Sequence, residues 1–396
     1  MLTRILAYFV PFAINFLNGG FFFITSHRFA EADCPATVVA SAVAAWGVAY
    51  CLVTGLIGKL VKTSNALGLI LAGGVMLSLT SAGFLIFDGL YTQFVWLLMS
   101  GCGAALFCAP FQLFAKSIEN GKSKKSGTVS ATSFYTLTWS LGFASGPLAF
   151  ARVTVKTGFI ITLALALAVT GSVVLIALLR KNQAQTNSGS TEEPTGDARV
   201  SVKMPFPEKT FTRLAILGWI VGGLGTLTVS QIRSIWPKQG ANLQISGDHV
   251  AYVLAVVSYV QAFTALALCR SKCWMWKRVP ALLMSVTGIL SLLVFAFASD
   301  VKIFYTAAAC YGVYSGCLYF YLVYHSLAHP SRSGFFVAGN EIIVGVTSML
   351  APLVGGFIAD VTGFTGSAFI FAAAAVVIAF TAQMIMLKPE KLEEEK

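Results

Sequence analysis

Charge is what this 396-residue sequence has least of: 11% of its residues are Asp, Glu, Lys or Arg, against 57% that are hydrophobic. Soluble domains run near a quarter charged, so a water-facing globule is excluded and the chain belongs in lipid. Acids are scarcer than bases, with 16 Asp and Glu to 27 Lys and Arg. Inside the long apolar runs acids are almost missing. Glu341 alone falls in the body of one; every other acid stands at a run's edge, in a connection or in the tail. A disulfide framework is missing too. Cys51, Cys102, Cys108, Cys310 and Cys317 lie within apolar runs and read as small buried hydrophobes with free thiols, while Cys34 stands alone in a connection. Cys269 and Cys273 flank a basic turn with no histidine nearby, which favours two free thiols over a metal pair. No metal and no cofactor is expected.

The apolar runs themselves are plentiful. By the rule of about 20 apolar residues per spanning helix, they fall at roughly 5–26, 36–58, 66–87, 92–115, 128–151, 158–179, 212–235, 249–269, 279–298, 302–327, 333–358 and 364–387. The first ends near Ala30-Glu31-Ala32, which imitates a signal-peptidase site. It is longer than a secretory core and is interrupted by Asn15 and Asn18, so it reads as a retained helix. The reading is an all-α integral membrane protein of about twelve transmembrane helices.

Orientation follows from Lys and Arg. With a cytoplasmic N-terminus, the inner connections hold Lys59 and Lys62, then Lys116, Lys122, Lys124 and Lys125, then the basic residues of 180–213. Arg270, Lys272, Lys277, Arg278 and Arg332 follow, and Lys388, Lys391 and Lys396 close the series. Outer connections hold only Arg28, Arg152, Lys156, Arg233, Lys238 and Lys302. This asymmetry puts both termini in the cytoplasm of a multi-pass cell-membrane protein. The formal net charge of +11 is therefore a topology signal, and nucleic acid is set aside as a partner.

Residues 181–210, rich in Ser, Thr, Glu and Pro, read as a cytoplasmic linker between helices 1–180 and helices 211–387; residues 388–396 read as a solvated tail. The two halves repeat. Gly146-Pro147 answers Ala351-Pro352, Thr157-Gly158-Phe159 answers Thr362-Gly363-Phe364 at the same offset, and Arg28 stands at that offset from Arg233. Three landmarks at one offset argue for duplicated six-helix bundles, a parallel repeat used by one large class of transporters.

On these residues the chain resembles the major facilitator superfamily of secondary transporters over nearly its whole length. Gly142-Phe-Ala-Ser-Gly146-Pro147 is similar to the Gly-x-x-x-Gly-Pro part of that family's fifth-helix motif, whose small residues let helices approach and whose proline bends the span; packing between the halves is the expected role. The loop Gly55-Leu-Ile-Gly58-Lys59-Leu-Val-Lys62 keeps the glycine and positive charge of the family's helix-two-to-three loop and lacks its aspartate. The intramembrane arginine and acid of drug–proton antiporters are missing from the fourth and first helices, which disfavours multidrug export.

The resemblance implies a central site lined mainly by helices 1, 4, 5, 7, 8, 10 and 11. Asn15 and Asn18, one turn apart, Gln112 and Gln261 are amides that need partners in hydrocarbon, which a solute or a neighbouring helix can supply. Tyr311 and Tyr314 offer flat faces with hydroxyls, and Tyr135 and Trp139 are spaced to add an aromatic wall; plain packing stands beside both readings. Arg28 and Arg233 form a repeat-related pair suited to clamping an anion, against the alternative of outer salt bridges or snorkelling. His325 and His329 are one turn apart and read as interfacial histidines rather than a metal site. Asn340-Glu341 carries the one intramembrane acid. A proton-coupling role for Glu341 and a structural hydrogen bond to Asn340 or a loop are equally open.

The expectation is a monomeric secondary transporter of a small polar or anionic organic solute, working by alternating access, with proton symport first and a proton-independent facilitator or exchanger second. A transport-inactive sensor or scaffold is the reading from another class. An enzyme is disfavoured, since no nucleophile–base or metal constellation emerges.

Overall fold

The computed structural model describes residues 2–58, 60–87, 89–120, 127–187, 207–268, 270 and 273–387. Most of the linker, the 388–396 tail, and the basic residues Lys59, Lys122, Lys124, Lys125 and Lys272 lie outside them. The first six helices are α1 (Leu2–Glu31), α2 (Ala36–Ile57), α3 (Ala66–Ile86), α4 (Gln93–Asn120), α5 (Gly127–Arg152) and α6 (Val155–Asn187). The second six are α7 (Glu208–Asn242), α8 (Gly247–Leu268), α9 (Arg278–Phe297), α10 (Val301–Leu327), α11 (Ser333–Thr362) and α12 (Ser367–Met386), with a short 3₁₀ turn at Cys273–Trp276. No strand occurs among the described residues.

Eleven of these helices are long and apolar enough to cross a membrane, and α5 is the exception. Part of its Ser and Thr content is satisfied within the helix: Thr132, Thr138 and Ser145 return their hydroxyls to the carbonyls of Thr128, Phe134 and Leu141. The polarity is tolerated because α5 packs on α1 and on α8 of the other half rather than against lipid. α3, α6, α9 and α12 form the periphery, where Leu79, Leu178, Leu283 and Ile385 present exposed apolar side chains suited to hydrocarbon.

The end of the bundle where α1 begins and α12 finishes is here termed the base, and the opposite end the top. The halves touch chiefly along α2–α11 and α5–α8. The α2–α11 crossing is a backbone-to-backbone approach: a Cβ on Gly47 would stand 2.6 Å from the Met349 nitrogen, and one on Gly345 would stand 2.8 Å from the Cys51 Cα. The α5 glycines do something else. A methyl on Gly146 would collide with the backbone of Phe16 and Gly20 in α1, so this motif packs α5 within its own half rather than between halves. The between-halves role belongs to Gly345 and Gly356 on α11.

Both ends are tied. At the top, Asp360 of α11 accepts the backbone N–H groups of Ala36 and Thr37 at 2.7 and 2.9 Å and the Thr37 hydroxyl at 2.6 Å, capping the start of α2 from the opposite half. Beside it Lys238 pairs with Asp33 at 2.7 Å. At the base, Lys116 of α4 donates to the Leu327 carbonyl of α10 at 2.6 Å.

Candidate functional site

Between the halves lies a cavity; the space bounded by its lining, open solvent included, is about 740 Å³. α1, α2, α4, α5, α7, α10 and α11 line it, with α2 taking the place expected for α8. Its walls are aromatic: Trp46 stacks on Tyr50 at 4.4 Å, Trp139 stands edge-on to Tyr319 at 4.8 Å, and Phe22 and Phe143 meet at 5.8 Å. Nearly all of this lining is buried, Tyr50, Asn18 and Asn340 to about 1% exposure.

Two ionisable groups of unlike charge face this space and do not pair with each other. Toward the base, Glu341 accepts hydrogen bonds from the Tyr50 hydroxyl and the Gln112 amide, so a carboxylate from one half is held by two neutral donors from the other. No Lys, Arg or His stands in ion-pair contact with it among the described residues. Toward the top, the Arg233 guanidinium lies 3.9 Å above the Phe143 ring and 6.0 Å from that of Trp139. No carboxylate pairs with it among the described residues, and its Nη2 is buried with no hydrogen-bond partner. A cation–π contact helps a guanidinium in a dry site but does not replace a counter-ion.

The amides divide by function. Asn15 donates to the Pro11 carbonyl at 2.9 Å and Asn340 to the Leu322 carbonyl at 3.3 Å, whereas Asn18 uses its oxygen to accept from Ser100 at 2.8 Å. Because a backbone carbonyl can only accept, the first two amides keep an oxygen to offer and the third keeps its N–H₂. Tyr135 and Asn340 stand at the repeat offset and both line the cavity, while Thr136 stands where the other half has Glu341.

Thus Asn15, Asn18, Tyr135, Trp139, Arg233, Asn340 and Glu341 come together at the cavity, and five other candidates do not line it. Gln112 stands behind Glu341. Gln261 ties α8 to Ser140 of α5 at 2.6 Å and to Ser315 of α10 at 2.5 Å. Tyr311 bonds Thr228 at 2.5 Å, and Tyr314 packs on Gly288 beside a smaller cavity inside the second half. Arg28 stays at the top end of α1, so the repeat-related arginines do not form one clamp. Both histidines at the base end of α10 are buried in the protein. His325 is 2% exposed and packs 4.4 Å from the Tyr321 ring; His329 is 1% exposed and bonds Thr212 and the Arg332 N–H. Trp46, Tyr50, Thr226, Ser230, Tyr319 and Ser348 also line the cavity. Each is a common apolar-helix residue whose facing a single sequence does not show. Tyr319 carried the clearest signal, as one of several tyrosines on α10.

Two six-helix bundles around a central cavity, with helices 1, 4, 7 and 10 at its walls, decide the architecture. The chain has the major facilitator fold. Solved structures agree over nearly the full length. The nucleoside transporter NupG superposes with a TM-score of 0.61 at 14% identity, covering 98% of this chain and 100% of its own. The human organic anion transporter MFSD10 (TETRAN) gives 0.65 at 11% identity, covering 95% and 98%. No protein-family model and no curated protein sequence matches the chain.

Proposed function

We propose that this major facilitator protein is a secondary transporter that carries a small organic anion through its central cavity by alternating access of the two halves. The observation that carries the reading is Arg233: a half-buried arginine on an aromatic-walled cavity, its Nη2 buried without a hydrogen-bond partner and no carboxylate in ion-pair contact among the described residues. An uncompensated buried charge costs several kcal/mol. A solute carboxylate or phosphate would relieve that cost on binding, and guanidinium geometry suits either. MFSD10, whose fold it shares, is an organic anion transporter.

Glu341 supplies the coupling group in this proposal. It lies on the cavity wall toward the base, and its partners across the interface, Tyr50 and Gln112, belong to the other half. Rocking the halves apart at the base would break those bonds and bring water to the carboxyl, so its protonation and the conformation would be linked. Asp360 and the Lys238–Asp33 pair serve as the latch at the top, and Lys116 with the Leu327 carbonyl as the latch at the base. The Lys and Arg asymmetry supports a cytoplasmic base, and the proposal takes the protein to act as a monomer in a cell membrane. A proton-independent exchanger of the same solute is the rival within the class.

The test is a thermal-shift screen of the purified protein against a metabolite library, followed by uptake of the hits into proteoliposomes with and without an imposed pH gradient. Hits dominated by carboxylates or phosphates, taken up faster with a proton gradient, support the proposal. Hits confined to uncharged sugars or nucleosides overturn the anion reading; uptake indifferent to the gradient overturns the coupling.

A further inference from the structure

The polar groups that the cavity leaves unpaired define more than a charge. Arg233 Nη2, Trp46 Nε1 and Asn340 Oδ1 are all buried without hydrogen-bond partners. The first two are donors. The third is an acceptor whose orientation is set, because the other end of the same amide must face the Leu322 carbonyl. An unmet acceptor in so dry a place calls for an N–H or O–H from whatever occupies the cavity.

The register of the helices separates the two demands. Ser230 of α7 meets Ser348 of α11 at 3.3 Å, which puts these residues at one level. Arg233 stands one turn above that level and Asn340 about two turns below it on parallel helices, so their backbones lie about 16 Å apart along the axis. The guanidinium lies over the Phe143 ring rather than beyond the cavity, and the span left to fill is on the order of 10 Å. Aromatic rings line it, the stacked pair Trp46 and Tyr50 of α2 and the edge-on pair Trp139 of α5 and Tyr319 of α10. Aromatic walls favour a flat apolar body by offset and edge-to-face contact.

We infer that the solute is an elongated, flat organic anion, about two fused rings long, that binds with its anionic group on Arg233 and an N–H or O–H donor at its other end on Asn340. This rests on the anion-transport reading above and adds the shape, the donor and the orientation. The orientation also sets the donor end beside Glu341, so the acid that changes partners when the halves rock is the one nearest the solute's uncharged end. Anionic and protonatable ends are thereby kept apart.

The test uses four probes with the full-length protein in detergent: 6-amino-2-naphthoate, 2-naphthoate, decalin-2-carboxylate and 6-amino-2-naphthamide. Titration calorimetry is expected to rank the amino-naphthoate first. Removing the amine, flattening lost in the decalin, and removing the charge should each weaken binding by about tenfold or more. In Asn340→Ala the amino-naphthoate should lose its advantage over 2-naphthoate, and a melting temperature within a few degrees of the parent's shows that the variant is folded. In Arg233→Gln the naphthoate should lose its advantage over the naphthamide.

The outcomes separate the two levels of claim. If the acids bind in an Arg233-dependent way but the amine and the flat ring add nothing, the substrate class is wrong and anion transport stands. If the amine helps equally in the parent and in Asn340→Ala, the orientation is wrong. If none of the three acids binds better than the naphthamide, both claims fall.

Discussion

Asp360→Asn is expected to loosen the top of the bundle, because that carboxylate does three things at once. One oxygen accepts the Ala36 N–H at 2.7 Å, and the other accepts the Thr37 N–H at 2.9 Å and the Thr37 hydroxyl at 2.6 Å. α2 begins there, so the carboxylate satisfies helix N-terminal donors that lack an intrahelical partner and faces the positive end of the helix dipole. The asparagine keeps the size and loses the charge, and its N–H₂ must face one of those donors. Hydrogen bonds to a charged acceptor contribute about 1.5–3 kcal/mol when shielded. Asp360 is solvent-exposed, which reduces the net figure to about 1–2 kcal/mol. Since this contact joins opposite halves, the loss falls on the equilibrium between closed and open top, a shift of about 5- to 30-fold. Two readouts follow. Backbone amides 36–39 should exchange hydrogen faster by that factor in mass spectrometry, and Cys108, the thiol of the cavity wall, should react faster with a small charged methanethiosulfonate. Unchanged exchange at 36–39 and unchanged Cys108 reactivity would refute the latch and the reasoning from its geometry.

Glu341→Gln should abolish accumulation driven by a pH gradient while sparing counterflow exchange, read by labelled-solute uptake into proteoliposomes; unchanged accumulation would remove the coupling role. Gly146→Val should lower the melting temperature of the detergent-solubilised protein, since the new side chain meets the backbone of Phe16 and Gly20 rather than movable side-chain ends, an overpacking cost of about 1–3 kcal/mol; Gly171→Val, where a Cβ meets nothing, serves as the control. The hydrogen bond from Lys238 holds the Asp33 carboxyl below its ordinary range. A depressed carboxyl contributes stability above its unfolded value near 4 and loses it as pH falls through the lower folded value. The stability that Lys238→Ala loses relative to the parent should therefore be largest at pH 7 and shrink as the pH falls below about 4, as melting temperatures across that range will show.

Much of the architecture was legible. Runs of about 20 apolar residues place all twelve helices because lipid demands that length, although α5 is too polar to count as a span by hydropathy alone, and the offset that relates Gly146 to Ala351 also relates Tyr135 to Asn340 in the cavity. Glu341 stood out because acids are so rare in apolar runs. What hydropathy does not carry is rotational phase. On a helix that is apolar all round, nothing in the pattern says that Tyr319 of α10 faces the cavity while Tyr311 turns to Thr228 and Tyr314 to Gly288. Nor does it carry helix ends. The apolar stretch of α7 stops near 235, which put Arg233 at the outer edge. The helix runs to Asn242 with Trp236, Lys238 and Gln239 buried, so Arg233 lies inside. The role of the α5 glycines was misplaced for a related reason: small residues predict a close approach, and sequence alone does not name the partner helix.

The central claim is that the cavity receives an anion on Arg233. It is tested most directly by initial rates of uptake of an identified anionic solute into proteoliposomes containing the parent or Arg233→Gln, at equal protein incorporation. The account expects the variant to lose at least about thirtyfold in rate at low solute concentration, as removal of one partner from a buried charge pair does. A variant that transports the same anion within about twofold of the parent would contradict it.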